Sequence, residues 1–159
     1  MSQESIDVVE ERLAAFIKMC RKVGLKATHQ RAEIYRELAR TDEHPDAETV
    51  FRRVRRRIPA ISLDTVYRTL RLMEEKGTIL RVVSLGDRTR FDANTEQHHH
   101  FVCRECGAVK DFDSEGLNDL RAPPEAAALG TVESFQVELR GICVPCRAKR
   151  RRVALGQNR

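Results

Sequence analysis

Four of the five cysteines in this chain fall into two Cys-x-x-Cys pairs, Cys103 with Cys106 and Cys143 with Cys146. Two such pairs supply four thiolates, the donor set that closes a tetrahedral zinc (Zn2+) site and leaves no coordination position for water or substrate. Zinc held there is structural. Directly before the first pair stands the run His98, His99, His100. Side chains alternate along an extended segment, so His98 and His100 share one face and His99 turns to the other. Asp92 lies just upstream, and Asp111 falls across the hairpin that the first pair would form, roughly opposite the histidines. Imidazoles with carboxylates suit Fe2+ or Mn2+, and zinc can also bind them. The fifth cysteine, Cys20, sits on the apolar face of an expected helix and reads as a small buried hydrophobe.

The elements that must position these donors can be read in order. Val8, Val9, Leu13, Phe16, Ile17 and Cys20 recur at helical spacing over residues 7–23, and Gly24 ends that helix. Thr28 caps a second helix with the stripe Ile34, Tyr35 and Leu38. After the loop containing His44, Asp46 caps a third helix, expected to run from Ala47 to about Arg57 and to stop before Pro59. Ser62 caps a fourth, closed by Gly77. Its buried stripe is Val66, Leu70 and Met73, which leaves Tyr67, Arg68 and Arg71 facing outward. A short helix, a turn and a second helix with exposed Arg and Tyr near its start resemble a helix-turn-helix. Two strands around a Gly86-Asp87 turn complete a winged helix.

The polar run to Gln97 reads as a linker. Beyond it, His99–Cys103 and Ala108–Phe112 are expected as strands around the first cysteine pair. A helix over about Ser114–Arg121, broken by Pro123 and Pro124, follows, and then an alternating strand over 131–140. The basic tail, 147–159, carries no packing pattern and is expected as a solvated end. The fold class is therefore α+β: a winged-helix domain (1–86) expected to bind DNA, a linker (87–97), a small α/β domain that carries the metal donors (98–146), and the tail.

A net charge of +5 and a pI near 9.2 permit a polyanionic partner. No run is apolar for long enough to cross a bilayer and the first residues lack the pattern of a secretion signal, so a reducing cytoplasm is the expected location. A metallohydrolase would need an open metal, a general base and a substrate cleft, and no further carboxylate or Gly-rich motif supplies them. A thiol switch at the cysteine pairs is disfavoured because zinc protects paired thiolates.

The chain resembles the ferric uptake regulator superfamily. The resemblance is carried by G-L-K-A-T-x-x-R from Gly24 to Arg31, His44-Pro45, I-S-x-D-T-V-Y-R-T-L from Ile61 to Leu70, R-F-D from Arg90, H-x-H-x-x-C-x-x-C-G from His98, and the later G-I-C-x-x-C. It implies a homodimeric, metal-dependent repressor of transcription that binds double-stranded operator DNA and is not an enzyme. The match is similar to the peroxide-responsive branch, in which the regulatory metal takes three imidazoles and two aspartates. Those positions are filled here by His44, Asp92, His98, His100 and Asp111. Asp92 stands where iron-uptake members often place Glu, and Gln97 and Phe135 stand where histidines of an additional site would be expected. The resemblance further implies base reading by Tyr67 and Arg68, a minor-groove contact from Lys26, a phosphate contact from Arg71, and His44 or His98 as the ligand oxidised by peroxide. An iron- or zinc-responsive uptake repressor with reversible metal binding is the alternative. Two departures stand out: Arg68 replaces an Asn frequent in peroxide sensors, and Pro123 and Pro124 interrupt a helix that is usually continuous.

Overall fold

The computed structural model describes residues 3–83, 89–132 and 135–156, and the chain divides into two compact units, Met1–Thr95 and Glu96–Arg159. The expected Gly86-Asp87 turn lies outside the described residues.

The first unit is built from α1 (Gln3–Lys22), α2 (His29–Ala39), α3 (Ala47–Val54), α4 (Leu63–Glu75) and an antiparallel pair, β1 (Leu80–Val83) with β2 (Thr89–Asp92). Three helix starts are fixed by side chains that take up an orphan amide. Thr28 accepts from Arg31 N–H, Asp46 from Thr49 N–H at 2.8 Å, and Ser62 from Thr65 N–H at 3.1 Å. Gly77, at φ 65°, ends α4 in the left-handed conformation that a side chain would resist. The apolar stripes of all four helices meet in one core. Phe16, Ile34, Leu38, Val50, Val54, Val66, Leu70 and Met73 are buried there, and Phe16 stacks on Tyr35 with ring centroids 4.0 Å apart. Cys20 is buried in the same core, as its place on the α1 stripe requires.

Two details differ from expectation. Val8 is 42% exposed instead of lying on the buried face of α1. The regular part of α3 ends at Val54, and residues 55–57 form tighter turns in which Arg57 N–H bonds Val54 O. That turn aims the Arg57 guanidinium at two buried carboxylates of α2, Glu33 at 2.5 Å and Glu37 at 2.6 Å.

The second unit is a three-stranded sheet ordered β4-β3-β5, formed by β3 (His99–Cys103), β4 (Val109–Phe112) and β5 (Glu138–Gly141). β3 and β4 are antiparallel and place His100 opposite Asp111. β3 and β5 are parallel, with Phe101 opposite Leu139. A parallel pair cannot be joined by a tight turn, so the chain crosses over through two single-turn helices, α5 (Glu115–Asn118) and α6 (Pro124–Ala127). The expected helix to Arg121 is thus cut to one turn. Pro123 and Pro124 instead start α6, where a proline's missing N–H costs nothing. Of the expected strand over 131–140, the described residues that pair with β3 are those of β5, Glu138–Gly141, which runs one residue past the expected end. Residues 147–156 of the tail belong to α7 (Val144–Gly156), and the side chains from Arg147 to Val153 are exposed, as a solvated end requires. Among the described residues, the buried apolar side chains of this unit are Val102, Cys103, Val109 and Cys143. No helix among the described residues is long and apolar enough to cross a membrane.

Candidate metal centres

The first cysteine pair ends β3 and turns back into β4. Gly107, at φ 68°, allows the reversal, and Cys103 N–H bonds Ala108 O at 2.8 Å. The second pair spans the end of β5 and the first turn of α7. Because β5 lies alongside β3, the four sulfurs converge to within 4.8 Å of one another, and Cys106 Sγ lies 3.7 Å from Cys143 Sγ. With Zn–S bonds of about 2.3 Å, the edge of a sulfur tetrahedron is about 3.8 Å, so the donor set fits zinc in both chemistry and spacing. The site is also electrostatically prepared. Backbone amides of Cys106 and Cys143 point at the Cys103 sulfur and lower its pKa to about 6, a thiolate at neutral pH. Hydrogen bonding to Cys143, then burial, pushes Cys146 up to about 12 in the metal-free cluster.

The histidines and aspartates form two groups, one in each unit. In the first unit, His44 Nε2 lies 3.3 Å from Asp92 Oδ2, both residues being buried. The other Asp92 oxygen accepts Asn94 N–H at 2.7 Å, which fixes the carboxylate. In the second unit, His98 Nε2 and His100 Nε2 face each other at 2.9 Å, and Asp111 Oδ1 lies 3.7 Å from the first and 3.3 Å from the second. His98 Nδ1 sits 2.8 Å from Glu96 O, and a carbonyl only accepts, so Nδ1 carries the proton and Nε2 keeps its lone pair. Gln136 Nε2 lies 3.1 Å from His100 Nδ1 and donates to it, so the His100 proton sits on Nε2 and faces the lone pair of His98 Nε2. Adjacent nitrogens on one ion, with bonds of about 2.1 Å at right angles, stand about 3.0 Å apart, so the His98–His100 pair has the spacing of two neighbouring ligands. His99 turns the opposite way, as strand alternation requires. It is fully buried, accepts Val137 N–H at Nδ1, and packs near the Phe112 ring.

With this geometry in place, comparison with known proteins is decisive. The model of the ferric uptake regulator family matches residues 22–139. This chain belongs to the ferric uptake regulator family. It is similar to the peroxide-responsive repressor PerR of Staphylococcus aureus (strain Mu50), 32% identical over 145 residues that cover 91% of this chain and 97% of that protein. Among solved structures it is similar to the peroxide stress regulator of Campylobacter jejuni (TM-score 0.64, 29% identity, 80% of this chain and 95% of the other). It is also similar to a zinc uptake regulator solved with zinc and DNA (TM-score 0.66, 26% identity, 90% and 97%). The family consists of metal-responsive, DNA-binding transcriptional repressors and not of enzymes, which is the class of this chain.

In this ferric uptake regulator family member, Tyr67, Arg68 and Arg71 all stand on the exposed side of α4, away from the stripe that enters the core. The two arginines are held along the helix surface by i,i+4 ion pairs, Arg68 with Asp64 and Arg71 with Glu75. Lys26 is exposed in the segment before α2, where its carbonyl accepts from Arg31 at 2.6 Å. An open groove of about 800 Å3 separates α4 from the β1/β2 hairpin and is lined by Tyr67, Arg68, Arg71, Arg81 and Thr89 among others. Sequence reasoning missed Arg81, which joins the groove from β1, and Gln136, which touches His100. The alternation of β1 gives a signal for Arg81. Gln136 precedes β5 and has none.

Proposed function

We propose that this chain is a homodimeric, metal-switched repressor of the cytoplasm that leaves its operator when hydrogen peroxide oxidises one of its metal ligands. In this reading residues 1–86 bind DNA, 87–97 form the hinge, and 98–146 form the dimerisation and sensing half. The supporting observation is the donor set. His44 with Asp92, and His98 with His100 and Asp111, are two groups at ligand-like spacing, buried except for Asp111, and each is too small to saturate an ion alone. One Fe2+ or Mn2+ taking all five residues would tie the two halves of the hinge. Driving a two-state hinge from 1:99 to 99:1 requires about 5.5 kcal/mol of differential binding, within reach of five ligands. The zinc of the four thiols would remain structural.

The aspartate at position 92 and the 32% identity to a peroxide-responsive repressor favour peroxide as the signal. Bound iron would supply redox chemistry with H2O2 in which one peroxide oxygen is added to a ring carbon of a neighbouring imidazole and the other leaves as water, a two-electron oxidation of the ring, whereas manganese would not. His44 and His98 are the imidazoles concerned. Both are buried, and both reach the site through Nε2, so an oxygen added to either ring weakens that donor and releases one half of the hinge from the other. DNA affinity then rests on phosphate contacts from Lys and Arg of the winged helix, including Arg71, on base reading by Tyr67 and Arg68, and on Lys26 in the minor groove.

The deciding experiment loads the zinc-containing protein anaerobically with Fe2+ or Mn2+, adds a small excess of H2O2, and follows peptide masses and operator binding together. A gain of one oxygen on the His44 or His98 peptide, with iron only and with loss of DNA binding, is expected. Unmodified protein whose DNA binding tracks free metal would instead make it an iron- or zinc-availability repressor, the activity named for the zinc uptake relative. The variant Asp92→Glu is expected to keep metal-dependent DNA binding and to lose most of its peroxide response.

A further inference from the structure

His44 is the one non-glycine residue at positive φ (49°) among the described residues, and it is buried. A side chain rarely adopts this conformation, and the following Pro45 closes the right-handed helical region to His44 as well. Left to itself, the residue would relax to extended backbone, where its Cα–Cβ bond points elsewhere and the imidazole no longer meets Asp92. Something must hold it.

The holding contacts come from β2. Arg90 Nη1 donates to His44 O at 3.0 Å and to Glu43 O at 3.3 Å, gathering two successive carbonyls on one cation. Phe91 N–H donates to Pro45 O at 3.2 Å, and Asp46 forms an isolated antiparallel bridge with Arg90. The loop that carries His44 is thus docked on the strand whose last residue is Asp92, 3.3 Å from the imidazole. We infer that Arg90 is a positioning residue for the regulatory metal: it never touches the ion, but clamps the His44 loop in its left-handed conformation so that His44 and Asp92 present their donors together. This inference rests on the proposed regulatory site.

The test uses the full-length, zinc-loaded protein and Mn2+, which avoids ligand oxidation. Mn2+ affinity is measured by calorimetry for wild type, Arg90→Met, Arg90→Lys, His44→Ala and the double variant Arg90→Met/His44→Ala, with zinc content and the melting of the first unit followed alongside. Losing an outer residue that orients a ligand typically costs roughly 10- to 100-fold in metal affinity, and Arg90→Met is expected in that range, with Arg90→Lys weakened less because it keeps one donor. In the His44→Ala background, Arg90→Met should add less than about twofold, since the residue it acts through is gone. A general structural role would carry the same loss into that background and would overturn the inference. So would wild-type affinity in Arg90→Met while His44→Ala is impaired. Unchanged Mn2+ binding in His44→Ala would instead remove the regulatory-site reading itself. Should Arg90→Met fail to fold, Arg90→Lys alone and combined with His44→Ala carries the same comparison.

Discussion

Consider the variant Cys143→Ser, or the wild-type protein stripped of zinc by a chelator. Zinc on the four thiols ties Cys106 to Cys143 across a sequence separation of 37. Treating that tie as a cross-link, the chain-entropy relation gives about 4 kcal/mol for a loop of this length at 25 °C, before any metal–thiolate binding energy is counted. The second unit has little to set against such a loss, because its buried apolar side chains are few and its sheet depends on a crossover pairing of β3 with β5. The first unit has a four-helix core of its own. About 4 kcal/mol corresponds to nearly three orders of magnitude in an opening equilibrium. Amide hydrogen exchange measures this directly. In zinc-free protein, the amides that join the strands, His100 N–H to Val137 O and Arg104 N–H to Gly141 O, should exchange several hundredfold faster. Those within α4, from Val66 to Met73, should stay within a fewfold. Retained protection at His100 and Arg104 after zinc removal would refute the reasoning.

Three further outcomes are expected. Proton release on zinc binding, measured by calorimetry in buffers of different ionisation enthalpy, should fall by one as pH rises through about 6, where Cys103 becomes a thiolate without metal. The sign for stability agrees: the Cys103 pKa is depressed in the folded state, so in zinc-free protein its contribution is present above the ordinary thiol pKa and is lost as pH falls towards 6. In DNA binding, Arg68→Ala should cost about 1–3 kcal/mol and relax discrimination at one base pair, whereas Arg71→Ala should lower the salt slope by about 0.9 for all sequences, both read from competition titrations. Arg57→Ala should destabilise the first unit by about 2 kcal/mol in thermal or urea unfolding, because it strips a partner from the buried carboxylates Glu33 and Glu37, to which Arg36 and Arg40 remain paired.

Much of the first unit was legible because local rules and tertiary needs agree there. Val66, Leu70 and Met73 repeat at helical spacing and are buried, and Thr28, Asp46 and Ser62 cap as their types predict. The metal donors were legible for a different reason: thiols and imidazoles at ligand spacing are rare enough to stand out without any fold. What the sequence concealed depends on distant partners. The guanidinium of Arg90 finds its carbonyls 46 and 47 residues away, and nothing in R-F-D announces them. The length of β5 is set by where β3 offers a partner, not by the alternation that runs through 131–140. The helix α7 was missed because it has no apolar stripe, although its Arg, Lys, Ala and Leu are strong helix formers and could have signalled it.

Helix α7 carries Arg147, Lys149, Arg150, Arg151 and Arg152 with no acidic residue between them. Pairs three and four apart, such as Arg147 with Arg150 and Arg151, lie side by side on the helix surface, and each like-charged pair opposes the helix by roughly 0.2–0.5 kcal/mol. A free helix of this length is marginal in water even without that repulsion. Its first turn is pinned by the thiol cluster, and Arg150 reaches Glu105 of the first cysteine pair at 2.7 Å. The cationic segment is therefore a spring loaded by its own charge. Added salt screens that repulsion and favours the helix, while the same salt weakens the operator complex by reducing the gain from counterion release, so helix content and DNA affinity should move in opposite directions along one ionic-strength titration.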